Sequence, residues 1–443
     1  MSAPDFVTRL QEKLLRQSEL NKTQTYYIAS DQIKCALLCI FSFFVIFYAF
    51  FLNTPIEIFE GLSRILIAPS ILITDYMAVG NPGAAFFNSG VLMFICIAIA
   101  ARVKVPLNGP VIAAIFTVGG FALFGKSMFN IWPIIGGVYL YSLYRKEKFS
   151  RFLLQALFGT ALGPLVSLVA FGLDFPLRFA LPLSIIIGLA AGFILPPMAN
   201  HFVVFHQGYN LYNVGFTCGI AGMLIMALFR AFGLNAPSIM ILSEGHNLVM
   251  AIFLMLFFSL MLLTGLFFTR VWLVSMRKLF MQPGRLVSDF VSSEGFGPSL
   301  VNMGLLGLIS TGFVLAVSGQ LNGPSIGGIF TVVGFGAFGK HVRNVIPIML
   351  GVWLASLIKI WDPSATVVVL AALFGTTLAP IAGSYGWAYG IIAGFVHMAV
   401  VMNVGILHGG INLYNNGFAG GFVAAVVVPI FDAVRSRFQK ESG

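Results

Sequence analysis

The chain has 443 residues, of which 58% are apolar and only 9% charged, and its formal net charge is +10. Soluble domains carry roughly a quarter of their residues as Asp, Glu, Lys and Arg. A chain this poor in charge cannot cover a soluble surface, and its long apolar windows predict an all-α polytopic membrane protein rather than a β-barrel of short alternating strands. The basic residues gather in particular loops, which points to a positive-inside bias and away from nucleic acid.

Residues 1–27 mix both signs (Arg9, Glu12, Lys13, Arg16, Glu19, Lys22) ahead of a full-length span. They read as a cytosolic arm and not as a cleaved signal peptide. Two homologous units follow, 28–232 and 241–434, joined by a link at 233–240 and closed by a cytosolic tail at 435–443. In the first unit, spans are expected near 35–53, 84–101, 109–125, 128–144, 152–172, 180–199 and 212–232, with equivalents in the second. With one apolar segment re-entrant, five or six spans plus a half-helix fit nearly as well. Stretches 55–79 and 271–295 are too polar to cross and are placed as amphipathic interface segments. Cys35, Cys39, Cys96 and Cys218 lie in apolar runs without paired spacing, so they read as packing residues and not as disulfides or metal ligands.

The duplication is plain in the residues. LNGPVIAAIFTVGGFALFGKSMFNIWPIIGGVYLYSL (107–143) returns as LNGPSIGGIFTVVGFGAFGKHVRNVIPIMLGVWLASL (321–357), with 22 of 37 positions identical. Thr74-Asp75 matches Ser288-Asp289, Asn88 matches Asn302, and ALFGTALGP returns as ALFGTTLAP. HQGYNLYNVGF (206–216) returns as HGGINLYNNGF (408–418). Each basic loop of one unit faces a charge-poor counterpart in the other, as in RKEKFSR (145–151) against IKIWDPS. Opposite orientation of the two units requires that pattern, so we expect inverted-topology repeats of about seven transmembrane segments each. Both termini then lie inside.

Several motifs carry candidate chemistry. In LNGP, Asn108 and Asn322 are N-caps with Pro110 and Pro324 in the first turn. Gly109 and Gly323 allow close backbone approach. An ordinary interfacial helix start explains these residues; so does a half-helix whose free N–H groups and positive dipole end face a substrate. If the second motif is helical, His206, Asn210 and Asn213 share one face, as do His408, Asn412 and Asn415; if it is not, they cap an unwound turn. Such amides serve as interhelical glue or line a pocket of which each unit makes half. Asn88 and Asn302 are secondary pocket candidates. Asp75 and Asp289 read as caps or as ion-coupling carboxylates. Lys126 and Lys340 read as snorkelling residues or as positive charge offered to an anion.

The paired LNGP…FGK and HxGxNLYNxGF motifs resemble those of a bacterial membrane-protein family defined by a duplicated domain of unknown function, over nearly the whole chain. That resemblance implies the bacterial cytoplasmic membrane. A seven-plus-seven inverted repeat also resembles the nucleobase and anion permeases, in which half-helices meet at the substrate and one domain moves as an elevator. The Phe-rich duplicated urea channels are a second resemblance, through Asn81-Pro82, although Gly295-Phe296 stands at that place in the second unit. The expected function is a secondary carrier for a small polar or anionic solute, the alternative being a passive channel. No HExxH, P-loop or repeated nucleophile–base set points to an enzyme or a cofactor. The expected partners are the bilayer and the solute, with self-association left open.

Overall fold

The structure, a computed structural model, describes residues 29–441 apart from 237, 238, 270 and 359, with the side chains of 438–441 excepted. The expected N-terminal arm, Arg270 and the last two residues of the tail lie outside the described residues. The regular structure of the described residues is helical, and the one strand-like pairing among them is an isolated bridge between Thr74 and Ile241.

Among the described residues, ten helices are long and apolar enough to cross a membrane, five in each unit, and the protein is a multi-pass membrane protein. In the first unit they are Asp31–Leu52, Pro82–Arg102, Phe149–Phe171, Leu177–Phe205 and Asn213–Ala231; in the second, Asn247–Phe267, Phe296–Ala316, Thr366–Tyr385, Trp387–Val404 and Asn415–Arg437. Their starts follow local chemistry. The Ser30 hydroxyl accepts the Ile33 N–H at 3.3 Å, and Asn81 accepts that of Ala84 at 2.7 Å, each satisfying an orphan donor of the first turn.

The two remaining spans expected in each unit are short. Gly109–Phe121 and Gly323–Phe335 have 13 residues each, which at 1.5 Å per residue is about 20 Å against a hydrocarbon core of about 30 Å. Ile131–Tyr144, with 14 residues, is similar, and Val342–Ile358 has 17. Lys104–Pro106, just before the first short helix, and Glu147–Arg151, just after the second, line one surface cavity. The pair therefore enters and leaves at the same face. Hydropathy merges each pair into spans because both helices and their turn are almost wholly apolar.

Two helices are broken where the sequence repeats ALFGTxLxP. Leu153–Gly159 and Gly163–Phe171 are separated by a 3-10 turn at Thr160–Leu162, and Thr366–Gly375 and Ala379–Tyr385 by one at Thr376–Leu378. Pro164 and Pro380 follow each turn; lacking an N–H, they cannot continue the helical ladder.

The stretches 55–79 and 271–295 divide in two. Pro55–Leu66 is a surface helix with a Thr54/Glu57 capping box, whose backbone bond holds the Glu57 carboxyl below its ordinary range. The later part turns inward, so the interfacial placement fails there: Asp75 and Tyr76 are fully enclosed. The Leu72 N–H donates to Gly410 O at 3.0 Å, and Leu286 N–H to Gly208 O at 3.1 Å. Each inward segment thus lies against a loop of the other unit, which satisfies backbone groups that lipid would leave unpaired.

Candidate functional site

The centre of the protein is built by contacts in which equivalent residues exchange units. The short helices Gly109–Phe121 and Gly323–Phe335 cross at Gly120 and Gly327. A Cβ on either would lie 2.6 or 2.5 Å from the other's carbonyl oxygen, so only glycine permits this approach. The Asp289 carboxylate accepts the Gly109 N–H at 3.0 Å, and Asp75 meets the Gly323 N–H in the same way. Asn108 and Asn322 cap their own helices through Val111 at 3.2 Å and Ser325 at 3.1 Å. The amides considered as free donors to a substrate are thus engaged by side chains, and both aspartates act as caps supplied by the opposite unit.

At the other end of each short helix the chain turns on glycine. Gly125 and Gly339 have φ of 125° and 135°, a region costly for a residue with a Cβ. The turn lets the Lys126 N–H return to Phe121 O at 3.0 Å and the Lys340 N–H to Phe335 O at 2.9 Å. Asn88 Nδ2 donates to Ala122 O and Lys126 O at 2.7 and 2.8 Å, and Asn302 Nδ2 to Gly336 O and Lys340 O at 2.8 and 2.7 Å. These asparagines position the lysine-bearing tips. Both ammonium groups are 0% exposed, so neither lysine snorkels.

The HxGxNLYNxG motif does not form one helical face. Leu177–Phe205 ends before His206, residues 206–212 form a turn through Gln207 and Gly208, and Asn213 opens the next helix. The trio therefore separates. His206 Nε2 pairs with Asn213 Oδ1 at 3.0 Å, and Asn213 Nδ2 donates to Ala199 O at 2.9 Å, closing the turn. His408 and Asn415 do the same, at 2.9 Å to each other and 3.2 Å to Val401 O. Asn210 instead reaches across, donating to Gly417 O at 2.9 Å and accepting from Thr377 Oγ1 at 2.5 Å. Asn412 Oδ1 accepts the Tyr414 N–H at 3.0 Å, and its Nδ2 has no partner among the described residues.

The tyrosines of NLYN carry the motif into the centre. A Cβ on Gly215 would lie 2.7 Å from Tyr414 Cβ, and one on Gly417 2.9 Å from Tyr212 Cβ. Each tyrosine thus packs on the glycine of the opposite copy. Their rings stand 5.1 Å apart; Tyr212 is 4.7 Å from Phe335 and Tyr414 4.7 Å from Phe121. Lys340 Nζ donates to Tyr212 Oη at 2.5 Å and to Thr376 Oγ1 at 2.7 Å, and lies 4.5 Å from the Tyr212 ring centroid. Lys126 Nζ lies 5.1 Å from the Phe121 centroid but has no hydrogen-bond partner among the described residues. Its titratable neighbours are the thiols of Cys96 and Cys218; none is a carboxylate. The broken helices complete the junction, Thr377 O accepting the Leu211 N–H at 3.0 Å and Ala161 O that of Leu413 at 3.1 Å.

A cavity of about 630 Å³ leads toward this centre from the link between the units. Exposed Arg230, Ile239 and Met240 lie at its mouth, and buried Phe124, Phe374 and Leu413 at its deep end. Tyr212, Tyr414, Thr376 and Thr117 were not among the residues the sequence singled out. Their signal is present in the sequence, since each stands at an equivalent place in both copies of a repeated motif. Asn247 accepts the Leu321 N–H at 2.7 Å and donates to Gly319 O at 3.1 Å, holding the second LNGP loop.

No curated protein and no solved structure matches the chain. A family model does, twice: the family described as Protein of unknown function (DUF1576) covers residues 54–231 and again 269–433. The chain belongs to that family, whose domain it carries in duplicate.

Proposed function

We propose that the protein is a secondary carrier for a small polar solute, anions being the favoured class, working at the junction of two inverted repeats in the bacterial cytoplasmic membrane with both termini inside. One observation carries this reading. Two lysines are enclosed at the junction without a carboxylate among their titratable neighbours, and one lies behind the deep end of a cavity. Charged side chains at membrane depth are costly and mark solute or ion pathways. Gly125, next to Lys126, packs on Leu413, which lines the cavity.

The exchanged contacts support a two-fold relation between the units, which swaps Asp75 with Asp289 and Tyr212 with Tyr414, as an inverted arrangement requires. The alternation of basic loops supports the same reading. A carrier is favoured over a passive channel by the two tyrosine rings, which meet at the junction and fill it. Passage would require them to part.

The test is flux into proteoliposomes holding the purified chain, screened with small inorganic anions, carboxylates, nucleobases, amides and amines. Saturable uptake accelerated by the same solute on the opposite side supports a carrier. Uptake that rises linearly with concentration turns the reading to a channel. Absence of flux across all classes, from protein shown to be folded, overturns transport.

A further inference from the structure

The two copies of the central site differ in how four of their polar groups are satisfied. On the second-unit side, Lys340 Nζ donates to Tyr212 and Thr376, Thr331 Oγ1 to Gly327 O at 2.9 Å, and Asn210 Nδ2 to Gly417 O. Their equivalents are Lys126, Tyr414, Thr117 and Asn412. Lys126 Nζ and Asn412 Nδ2 are buried without a hydrogen-bond partner among the described residues, and the Thr117 and Tyr414 hydroxyls, which neighbour each other, reach no partner in hydrogen-bond geometry. A buried polar group left unpaired costs about 1–3 kcal/mol, and more when charged. Four at equivalent positions are not a scatter of packing defects.

All four groups can donate, and one is an ammonium, so they call for an acceptor carrying negative charge. Three of them share neighbours, and Asn412 adjoins Leu413, which packs on Gly125 beside Lys126. Phe121 lies under Lys126 and against Tyr414, Thr117 stands four residues before Phe121 on the same helix, and the Cys218 thiol neighbours both Lys126 and Tyr414. The ion pairs of Lys34, Arg145 and Arg151 lie elsewhere. One cation balances one charge; a dianion would bring a second, uncompensated charge into a low-dielectric core. Leu413 closes on Gly125 tightly enough that a Cβ there would lie 2.6 Å from its Cδ2, which favours a small ligand.

We propose that Lys126, Thr117, Asn412 and Tyr414 form a site for one small monovalent anion, reached from the cavity that ends at Phe124 and Leu413, while the matching site at Lys340 is closed by Tyr212 and Thr376. The anion's entry as transported solute rests on the carrier reading; its binding does not.

The experiment is titration calorimetry on the full chain in detergent, with gluconate as background anion and chloride, formate, nitrite and sulfate as probes. Saturable binding of at least one monoanion at one per chain is expected, with sulfate at least tenfold weaker. Lys126→Gln should weaken the monoanion at least tenfold. Thr117→Val and Tyr414→Phe, which keep shape, should weaken it about three- to tenfold and carry the test if the lysine variant fails to fold. Arg178→Gln, at the exposed surface, should leave binding unchanged. Two anions per chain, equal sulfate affinity, no monoanion binding, or affinity unchanged in Lys126→Gln would each overturn the site. Binding at Lys126 without flux of any solute keeps the site and removes the carrier reading. Flux of a monoanion that Lys126→Gln leaves unchanged does the reverse.

Discussion

The Lys340 ammonium donates to the Tyr212 hydroxyl at 2.5 Å although 128 positions separate them and they belong to opposite units. The contact also places the charge 4.5 Å from the ring centroid, so Tyr212 gives it both an acceptor and a π face. Tyr212→Phe keeps the face and removes the acceptor. We expect a loss of about 1–3 kcal/mol, the cost of a buried donor deprived of its partner. Equilibrium unfolding in mixed micelles measures it, and a double-mutant cycle with Lys340→Met separates the pair from the packing. A coupling near zero would mean that Thr376 alone satisfies the lysine.

The aspartate caps make a graded prediction. Asp289 accepts the Gly109 N–H and caps the following Phe290–Ser293 turn through Ser292 at 3.0 Å. Asp75 does the corresponding work, is fully enclosed, and also accepts the Ser243 N–H at 2.9 Å and its hydroxyl at 2.5 Å. Asp289→Ala should cost about 0.5–2 kcal/mol, the usual value of a lost cap. Asp75→Ala should cost more, because Ser243 loses its acceptor in a closed environment. Thermal unfolding midpoints in the same detergent should rank wild type, Asp289→Ala and Asp75→Ala in that order. The reverse order would show that the Ser243 contact contributes little.

How far the sequence revealed this centre depends on what lies within one copy and what lies between two. The short LNGP helix, its Asn cap and the lysine at its tip were legible because 107–143 and 321–357 repeat them residue by residue. The multi-pass helical fold followed from the scarcity of charge. The partners were not legible. Nothing in a single sequence says that Asp289 serves Gly109, or that Tyr414 rests on Gly215, since a repeat records positions and not contacts. Of the two readings of HxGxNLYNxGF, the structure takes the unwound turn and not the shared face for a local reason: Gly208, at φ 79°, and Gln207, at φ 51°, end the helix before the asparagines. Full spans and half-helices stayed undecided for the short pairs, because hydropathy responds to apolar length and not to where the backbone turns.

The crossing of the two short helices gives the most stringent packing test. Gly120 and Gly327 approach backbone to backbone, and a Cβ on either would meet a carbonyl oxygen at 2.6 or 2.5 Å. Carbonyls in a helix cannot turn aside as a flexible side chain can. Gly120→Val and Gly327→Val should each cost at least the ~1–3 kcal/mol typical of overpacking. By contrast, Gly312→Ala, with nothing within 4 Å of the added Cβ, should stay within about 1 kcal/mol of wild type and gain helix propensity. Folded yield by size exclusion and unfolding midpoints together read the comparison. Wild-type behaviour of both valine variants would mean that the helices can separate at little cost.

One residue difference bears on why the two half-sites are unequal. Thr377 lies in the second broken helix, where its hydroxyl donates to Asn210 at 2.5 Å and accepts the Tyr212 N–H at 3.0 Å. The equivalent in the first is Ala161, which offers the 408–415 loop only its carbonyl, to Leu413. The loop held by threonine is the one whose tyrosine caps a lysine; the loop facing alanine lines the cavity and leaves Asn412 Nδ2 unpaired. Thr377→Ala should therefore loosen the closed side, costing about 1–3 kcal/mol through the exposed needs of Asn210 and Tyr212. Ala161→Thr should act oppositely, anchoring Tyr414 toward Lys126 and weakening monoanion binding by competition for the same ammonium. The two readouts are unfolding free energy for the first and calorimetric affinity for the second. If Ala161→Thr folds and binds the anion as tightly as wild type, the threonine–alanine difference does not set which half-site is open.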